Sequence, residues 1–318
     1  MPVFPKPSFP YAYDVPTQVG FLRAHRQQPD RLIPAKSPDR MLLATWNIAN
    51  FGAQDRRDSE FQIIAEILSW FDVVAVQEVR ENFSHLEAVH AHLPAPYRLL
   101  FTDIAGNDER MTFVYDSSKL TLLEKIGEIA IPPSDLPFIK LPTVTQAFKG
   151  FDRNPYIATF KVGQTDFLFV NVHLYFGSDA PADLQRRSLE TFAVARWADQ
   201  RRKSAFSFTK EIVALGDFNM PKAAPGDPIH DALVAKGLEL PDHSGIIGSS
   251  IVNDAQYDEV AFFPGPTADQ FTGNKGVFDY DAVVFPDLWQ ARGKADFDAY
   301  LRYYISDHRP MWVEFNVA

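Results

Sequence analysis

The stretch IVALGDFNMP, residues 212–221, predicts a short buried strand that ends in two polar side chains. Its first four residues are apolar, and a glycine then interrupts the run. Asp217 and Asn219 follow one residue apart, so strand-like alternation would point both beyond the carboxyl end of the strand. An ordinary turn is the alternative, because Gly, Asp, Asn and Pro are common turn residues. Taken alone, the stretch fits an ordinary turn better than a functional site. Other parts of the sequence are needed to distinguish these two interpretations.

The composition is that of a globular protein with a substantial core. The chain has 318 residues, is 46% hydrophobic, carries a formal net charge of −10 and contains no cysteine. The lack of cysteine excludes disulfides, thiolate nucleophiles and cysteine-ligated zinc or iron–sulfur sites. The acidic charge offers no general attraction for nucleic acid, so binding a polyanion would require a local patch or bound cations. No apolar run is long enough to span a membrane and the start lacks a signal-peptide pattern. We therefore expect a soluble chain, either cytoplasmic or a mature secreted form.

The domain organisation follows from a change in pattern near residue 40. Residues 1–40 are rich in Pro and Arg and lack sustained periodicity, which predicts an N-terminal extension that lies on the domain or acts as a tether. Residues 41–318 predict a single domain, although length alone would also fit two.

Apolar runs dense in β-formers alternate with a few helical patterns along residues 41–318. The opening is βαβ-like, with strands at 41–48 and 72–79 and a helix at 61–71. Strands outnumber helices, which predicts layered sheets covered by helices. The remaining predictions are helices at 81–93, 180–202 and 228–236, a loop at 131–150, and strands at 96–102, 110–116, 120–131, 155–162, 165–174, 212–218, 257–263, 280–285 and 311–317.

Polar residues end several of the other predicted strands as well. Each has an ordinary explanation as a turn residue, a surface ion pair or a core histidine. Burying several uncompensated carboxylates at strand ends, however, costs roughly several kcal/mol each, and a divalent cation would remove that cost. Carboxylate and amide oxygens favour Mg²⁺, Mn²⁺ or Ca²⁺ over zinc, and nearby histidines provide proton transfer. The set predicts cleavage of a phosphoryl or phosphodiester bond. Its members are Asn47, Glu78, Asn171, His173, Asp217, Asn219, Asp307 and His308.

The sequence resembles the endonuclease/exonuclease/phosphatase superfamily, and within it the deoxyribonuclease I branch. Eight stretches match in the order of the family, over roughly residues 41–318. The resemblance implies an α/β fold, a four-layer sandwich of two mainly antiparallel β-sheets packed face to face with helices outside. It places the site at one edge of the sheets. The stretches are TWNIANFG, VVAVQEVRENF, ERMTFVYD, FDRNPYIATF, NVHLYFG, LGDFNM, YDEVAF and SDHRPMWVEF.

The resemblance also implies a metal site and a phosphate site. Glu78 is similar to the principal metal-binding carboxylate of the family, assisted by Asn47 and Asp307. The implied cofactor is Mg²⁺ or Mn²⁺, with Ca²⁺ as a further candidate, and the number of ions stays open. Asp217 and Asn219 resemble the residues that orient the scissile phosphate and the attacking water or a second metal.

Two catalytic histidines are implied, each with a carboxylate partner. His308 would pair with Asp258, and His173 would pair with Glu109. Asp281 in FDYDAVVF also precedes a predicted strand and competes with Asp258 for His308. The Tyr-Asp pair followed by an aliphatic strand in AQYDEVAF favours Asp258.

Three further residues are implied to contact substrate. Arg153 and Asn171 resemble phosphate- or substrate-binding residues, and Arg80 matches an arginine that contacts the DNA groove. The branch also places an aromatic residue against the minor groove shortly before the ER glutamate, but Asn107 and Asp108 stand there in this chain.

The sequence therefore predicts a divalent-metal-dependent phosphodiesterase, first of all a deoxyribonuclease I-like endonuclease that hydrolyses DNA with little sequence specificity. A phosphatase or phospholipase C-type hydrolase of phosphoinositide, sphingomyelin or another small phosphodiester is the alternative. A non-catalytic binding module is a second alternative. DNA or another phosphodiester is the expected partner, with no membrane span and no obligate protein partner.

Overall fold

The computed structural model describes residues 3–242 and 245–317, which form two β-sheets flanked by helices. The first sheet has the strand order β10-β11-β1-β2-β4-β3, and the second has the order β5-β6-β7-β8-β9. The strands are β1 (Arg40–Phe51), β2 (Val73–Arg80), β3 (Tyr97–Phe101), β4 (Glu109–Asp116), β5 (Leu120–Glu128), β6 (Tyr156–Val162), β7 (Thr165–His173), β8 (Glu211–Asp217), β9 (Asp258–Phe262), β10 (Phe271–Val277) and β11 (Met311–Asn316).

Helices cover the outer faces of both sheets. None of those that the structure describes combines the length and the apolar character needed to cross a membrane. The helices are α1 (Val15–His25), α2 (Asp58–Ser69), α3 (Ser84–His92), α4 (Pro181–Lys203), α5 (Pro228–Val234), α6 (Pro266–Gln270) and α7 (Pro286–Tyr304).

Alternate residues of the central strands face two different hydrophobic layers. In β1, Met41 and Leu43 belong to the layer between the two sheets, whereas Leu42 and Ala44 pack against the helices outside the first sheet. The second sheet divides its residues in the same way, between the inner layer and α4. Strands buried on both faces read as continuous apolar runs, as observed here. The predicted four-layer α/β sandwich is confirmed.

The sheet topology brings many strand ends to one edge, which we call the site edge. Among the described strands only β1–β2 and β7–β8 are parallel pairs, so the predicted mainly antiparallel character is confirmed. The carboxyl ends of these four strands and the amino ends of their antiparallel neighbours β4 and β9 lie at the site edge. Gly216 is required there, since a Cβ on it would lie 2.1 Å from the Val172 carbonyl oxygen.

The segment around residues 272–304 differs from the sequence prediction. The stretch 280–285 is not a strand: Tyr280–Ala282 forms a 3₁₀ turn, and α7 begins at Pro286. Its apolar residues are buried in a turn, and periodicity alone cannot distinguish such a short apolar run from a strand. Neither α7 nor β10 was predicted, the latter because its two glycines and exposed position hide the strand pattern.

The N-terminal extension contains a helix that the aperiodic sequence did not predict. Asp14 caps α1 by accepting hydrogen bonds from Thr17, and the helix packs onto the domain through the fully buried Leu22. His25 Nε2 lies 2.7 Å from Asp279 Oδ1, so α1 also holds the segment before the 3₁₀ turn. These contacts make a tether a poor description of the extension. The outer limits of the predicted domains, residues 1 and 318, lie outside the described residues.

Replacing Leu22 with alanine should lower the free energy of unfolding by about 2–5 kcal/mol, because it leaves a cavity where α1 meets the domain. Urea denaturation measures this change. Phe21→Ala is the matched control. Because Phe21 is 38% exposed, its truncation should lower the free energy of unfolding by less than about 1 kcal/mol. An equally small loss in both variants would mean that α1 does not contribute to the stability of the domain.

Candidate active site

Glu78 reaches the site edge from an irregularity in β2. Its backbone φ is +61°, and the pairing of β2 with β4 shifts register between Val76 and Val79. Such bulges redirect a side chain, and a left-handed glutamate persists only where its surroundings hold it. Here Glu78 Oε1 accepts a hydrogen bond from Asn47 Nδ2 at 3.1 Å, and Oε2 accepts one from the Asn50 backbone N–H at 2.7 Å. The carboxylate is thus buried and fixed at the edge.

Asp217 lies at the centre of the site, where the two sheets meet. Its Oδ2 accepts a hydrogen bond from Asn47 Nδ2 of the first sheet at 3.0 Å. Its Oδ1 accepts one from the Asn219 backbone N–H at 2.7 Å, which holds Asn219 at a φ of +52°. The side chains of His173 and His308 approach the same carboxylate, with Nε2 to Oδ2 distances of 3.7 and 4.0 Å.

Both histidines are oriented by a buried carboxylate on the far side of the ring. His308 Nδ1 lies 2.6 Å from Asp258 Oδ2, and His173 Nδ1 lies 2.9 Å from Glu109 Oε2. An anionic partner favours a proton on Nδ1, which leaves Nε2 of each ring to face Asp217. The arrangement is therefore two carboxylate–histidine pairs on either side of one central carboxylate.

Electrostatics favour the charged forms of His308 and Glu109. Burial disfavours the charged imidazole, but the neighbouring carboxylates, Asp258 first among them, outweigh it and raise the pKa of His308 well above its ordinary value. Burial likewise disfavours an ionised Glu109, yet His173 and two nearby arginines lower the pKa of Glu109 to about 2. His308 is therefore a protonated donor near neutral pH, and Glu109 is an anion.

The oxygens beside Glu78 fit a hard divalent cation. Asn47 Oδ1 and Asp307 Oδ1 are buried and form no hydrogen bond with any residue that the structure describes. Burial, together with the charge of Glu78, raises the pKa of Asp307. Carboxylate and amide oxygens are the ligands that Mg²⁺, Mn²⁺ and Ca²⁺ prefer, so the donor set can hold one of these ions.

Carboxylate and imidazole atoms also gather in two groups of three, with the ligand atoms of each group within 4.8 Å of one another. Both groups contain a histidine whose Nδ1 lies close to a carboxylate oxygen, at 2.9 Å for His173 and 2.6 Å for His308. The histidines are therefore chemically suited to proton transfer, and the oxygen-only set is chemically suited to a cation. The groups are Glu78, Glu109 and His173, and Asp217, Asp258 and His308.

Arg153 does not lie where the resemblance implies a phosphate contact. The residue is only 2% exposed, and its guanidinium donates to the carbonyls of His173 and Leu174 at 2.8 and 3.0 Å. Its Nη1 faces Asp152 and Glu109, at 3.2 and 3.6 Å. Because the donors are occupied inside the protein, Arg153 holds the end of β7 and the Glu109 carboxylate in place.

Asn171 is also an internal residue and does not face the site edge as a phosphate ligand. Its Oδ1 accepts a hydrogen bond from Gln77 Nε2 at 2.7 Å, and its Nδ2 donates to the Thr112 carbonyl at 3.0 Å. The side chain is fully buried between the sheets. Asn171 therefore ties β7 to β2 and β4 beneath the site.

One open question from the sequence, the partner of His308, receives a geometric answer. Asp281 binds the guanidinium of Arg309 through both carboxylate oxygens at 2.7 Å, so Asp258 and not Asp281 lies beside His308. Arg80 lies at the margin of the site, with its side chain 13% exposed and 3.5 Å from Glu109.

Ser306 positions two site residues and was not singled out from the sequence. Its Oγ donates to the Asn47 carbonyl at 2.6 Å and accepts from the backbone N–H groups of Ala49 and His308 at 3.2 and 3.0 Å. One hydroxyl thus ties β1 to the segment that carries His308. Its position directly before the Asp-His pair is the only signal in the sequence.

Arg187 of α4 is the second residue that the sequence did not reveal. It is 1% exposed, and Nη1 donates to the Asn219 carbonyl at 3.0 Å. Nη2 donates to the carbonyls of Phe176 and Ser178 at 2.7 and 3.2 Å. The guanidinium therefore joins the loop after β7 to the loop after β8. In the sequence it is one of many arginines on a predicted helix.

This chain is similar in structure to known proteins. No protein-family model matches the chain, and no curated protein matches it. Solved structures do match over most of the chain. An endonuclease/exonuclease/phosphatase family protein from Bacteroides thetaiotaomicron is 19% identical with a TM-score of 0.54, covering 86% of this chain and 94% of that one.

Two further solved structures have named activities or ligands. A mannosyl-6-phosphatase from the same bacterium is 18% identical with a TM-score of 0.52, covering 86% of this chain and 98% of the other. D. rerio TDP2 complexed with a single-strand DNA product is 16% identical with a TM-score of 0.56, covering 87% of this chain and 99% of the other. At these identities the likeness establishes the fold.

Replacing Arg187 with methionine should lower the free energy of unfolding by about 3 kcal/mol or more. The change removes three charge-assisted hydrogen bonds and leaves buried carbonyls without a donor. Guanidinium denaturation measures the loss. The matched control is Arg201→Met on the same helix, where an exposed side chain should contribute less than about 0.5 kcal/mol. Equal stability of the two variants would contradict a positioning role for Arg187.

Proposed function

The chain has the fold of the endonuclease/exonuclease/phosphatase proteins, and from that premise we propose that it is a divalent-metal-dependent hydrolase of phosphate esters. Two carboxylate-bound histidines on either side of Asp217 support this proposal most directly. Such a set can bind an anionic phosphate, orient water and protonate a leaving oxygen.

The cation would be held by Glu78, Asn47 and Asp307, since the buried Oδ1 atoms of the last two form no hydrogen bond with a described residue. When bound, Mg²⁺ or Mn²⁺ neutralises charge on the phosphate and polarises its P–O bonds, and Ca²⁺ is a further candidate. Asn47 donates to both Glu78 and Asp217, so it couples the cation-binding carboxylate to the central one.

Asp217, Asn219 and His173 would bind the scissile phosphate and orient the attacking water. Asp217 is a buried acceptor held by two hydrogen bonds, so it can accept a proton or a hydrogen bond from water. Asn219 Nδ2 uses one hydrogen on the Leu174 carbonyl at 2.8 Å and retains a second for a phosphate oxygen. His173, oriented by Glu109, presents Nε2 to the same space.

His308 would act as the general acid. Its raised pKa keeps the ring protonated near neutral pH, and Asp258 fixes the proton on Nδ1 so that Nε2 faces the site. Protonation of the leaving oxygen by such a group contributes roughly 10²- to 10⁴-fold to the rate.

For the substrate we propose a phosphodiester, with DNA as the first candidate. Arg80 supports this choice, because it holds a positive charge at the margin of the site. D. rerio TDP2, of the same fold, has been solved with a single-strand DNA product. Cleavage of DNA would be sensitive to salt, since the chain itself carries a net charge of −10.

A small phosphate ester is the second candidate. Arg80 at the margin of the site is paired with Glu109, and Arg186 of α4 is paired with Asp152 and Glu190, which leaves little unpaired positive charge for a long polyanion. A mannosyl-6-phosphatase shares the fold. A non-catalytic binding module fits least well, because none of the residues of the two pairs or the oxygen set is replaced.

Hydrolysis should depend on both the cation and His308. We expect the wild-type chain to nick supercoiled plasmid or to hydrolyse bis(4-nitrophenyl) phosphate with Mg²⁺ or Mn²⁺, and to lose activity in EDTA. His308→Ala should reduce turnover by roughly 10²- to 10⁴-fold, because it removes the general acid. Gel electrophoresis and nitrophenol absorbance provide the readouts. If the wild-type chain hydrolyses bis(4-nitrophenyl) phosphate but does not nick plasmid, the small ester is favoured. If it hydrolyses neither of these substrates nor a phosphomonoester, the proposal is refuted.

The two candidate partners of His308 can be separated by mutation. Asp258→Asn should reduce turnover by roughly 10²-fold or more, because it disturbs the tautomer and charge of His308. Asp281→Asn, the matched control, should leave turnover within a few fold, since Asp281 binds Arg309. Steady-state kinetics on the responsive substrate measure both, and the reverse order would reassign the pair.

A further inference from the structure

The loop between α4 and β8, residues 204–210, exposes two large aromatic side chains. Phe206 is 98% exposed and Phe208 is 44% exposed. Single exposed apolar residues are common on protein surfaces, but an almost fully exposed phenylalanine beside a second one in a short loop is unusual. Both lie within SAFSFTK, between the last residues of α4 and the start of β8. We call this segment the aromatic loop.

Cations outnumber acids in the segment that carries the aromatic loop: residues 199–211 contain four cations and two acids, Asp199 and Glu211, although the whole chain carries a net charge of −10. Arg202 and Lys203 share the single carboxylate of Asp199, at 3.2 and 2.7 Å. Arg201 and Lys210 form no ion pair within the part of the chain that the structure describes, so their charges remain available. The four cations, Arg201, Arg202, Lys203 and Lys210, lie within ten consecutive residues.

A further cation, Lys125 of the edge strand β5, lies near Arg201. Burial, followed by the charge of Arg201, lowers the pKa of Lys125 in β5. The two side chains are therefore close enough to repel each other. A cluster in which cations outnumber acids attracts an anionic surface.

We propose that the aromatic loop docks on an anionic phospholipid bilayer. Phe206 and Phe208 would insert among the acyl chains near the headgroups, and Arg201, Lys203 and Lys210 would contact lipid phosphates. The pairing of exposed aromatic rings with flanking Lys and Arg is the chemistry that binds a membrane interface. Because the rest of the chain is acidic, an anionic bilayer attracts this face and repels the others.

The direction of β8 determines how the protein would sit on the bilayer. The aromatic loop directly precedes β8, and Asp217 is the seventh and last residue of that strand. At about 3.3 Å per residue, the loop and the site edge lie on the order of 20 Å apart at opposite ends of the second sheet. Docking would therefore hold the site edge away from the bilayer, facing the solvent. The proposal does not depend on the substrate.

Sedimentation with sucrose-loaded vesicles tests the docking surface. The full chain should bind vesicles of phosphatidylcholine mixed with phosphatidylserine, and should bind vesicles of phosphatidylcholine alone much less. Phe206→Ser combined with Phe208→Ser should weaken binding by about 10²-fold, through loss of apolar insertion. Arg201→Ser combined with Lys210→Ser should weaken it by about tenfold and reduce its salt dependence.

Phe138→Ser is the matched control, because Phe138 is 60% exposed elsewhere on the surface. It should leave vesicle binding unchanged, and urea denaturation should show that all variants fold. Binding that is unaffected by the Phe206 and Phe208 changes would overturn the proposal. So would analytical ultracentrifugation showing a dimer that these changes dissociate, since the loop would then contact a second copy of the chain.

Discussion

The buried carboxylate of Asp217 is the group on which the arrangement of the candidate site depends. It ends a strand of the second sheet, yet it accepts a hydrogen bond from Asn47, which belongs to the first. A fully buried anion is costly without partners, so the surrounding donors must be held with some accuracy. Its second oxygen fixes Asn219, and two histidines approach the first, His173 from the end of β7 and His308 from the segment before β11. The candidate site is therefore formed by residues of both sheets at the edge where the sheets meet.

Arginines provide much of the rigidity around this acidic seam. Arg153 and Arg187 are almost completely buried, and most of their donors bind backbone carbonyls at the ends of strands and loops. Arg56 likewise donates to the backbone carbonyls of Ala49 and Ile305. A guanidinium has several donors in one plane, so one side chain can join two or three chain segments. The same cations offset the concentrated negative charge of the carboxylates.

The N-terminal extension takes part in this support through a chain of contacts. His25 and Arg31 bind Asp279, and the adjacent Tyr280 donates from its hydroxyl to the Ser306 carbonyl at 2.5 Å. Ser306 in turn holds Asn47 and His308. A segment that is distant in sequence from the site is thus linked to it by hydrogen bonds. The aromatic loop lies at the opposite end of the second sheet and has no part in this network, which separates the docking surface from the chemistry.

The sequence by itself determined the layered α/β fold, since strands buried on both faces leave long apolar runs, and it identified the polar residues at their ends. It also favoured Asp258 over Asp281 as the partner of His308. It could not show that Arg153 and Asn171 point into the protein, because a motif specifies residue types and not the direction of a side chain. Ser306 and Arg187 were missed for a related reason: their partners are backbone carbonyls and N–H groups, which leave no pattern in the sequence. Only the tertiary structure decided these roles, because they depend on contacts between segments far apart along the chain, which local periodicity does not record.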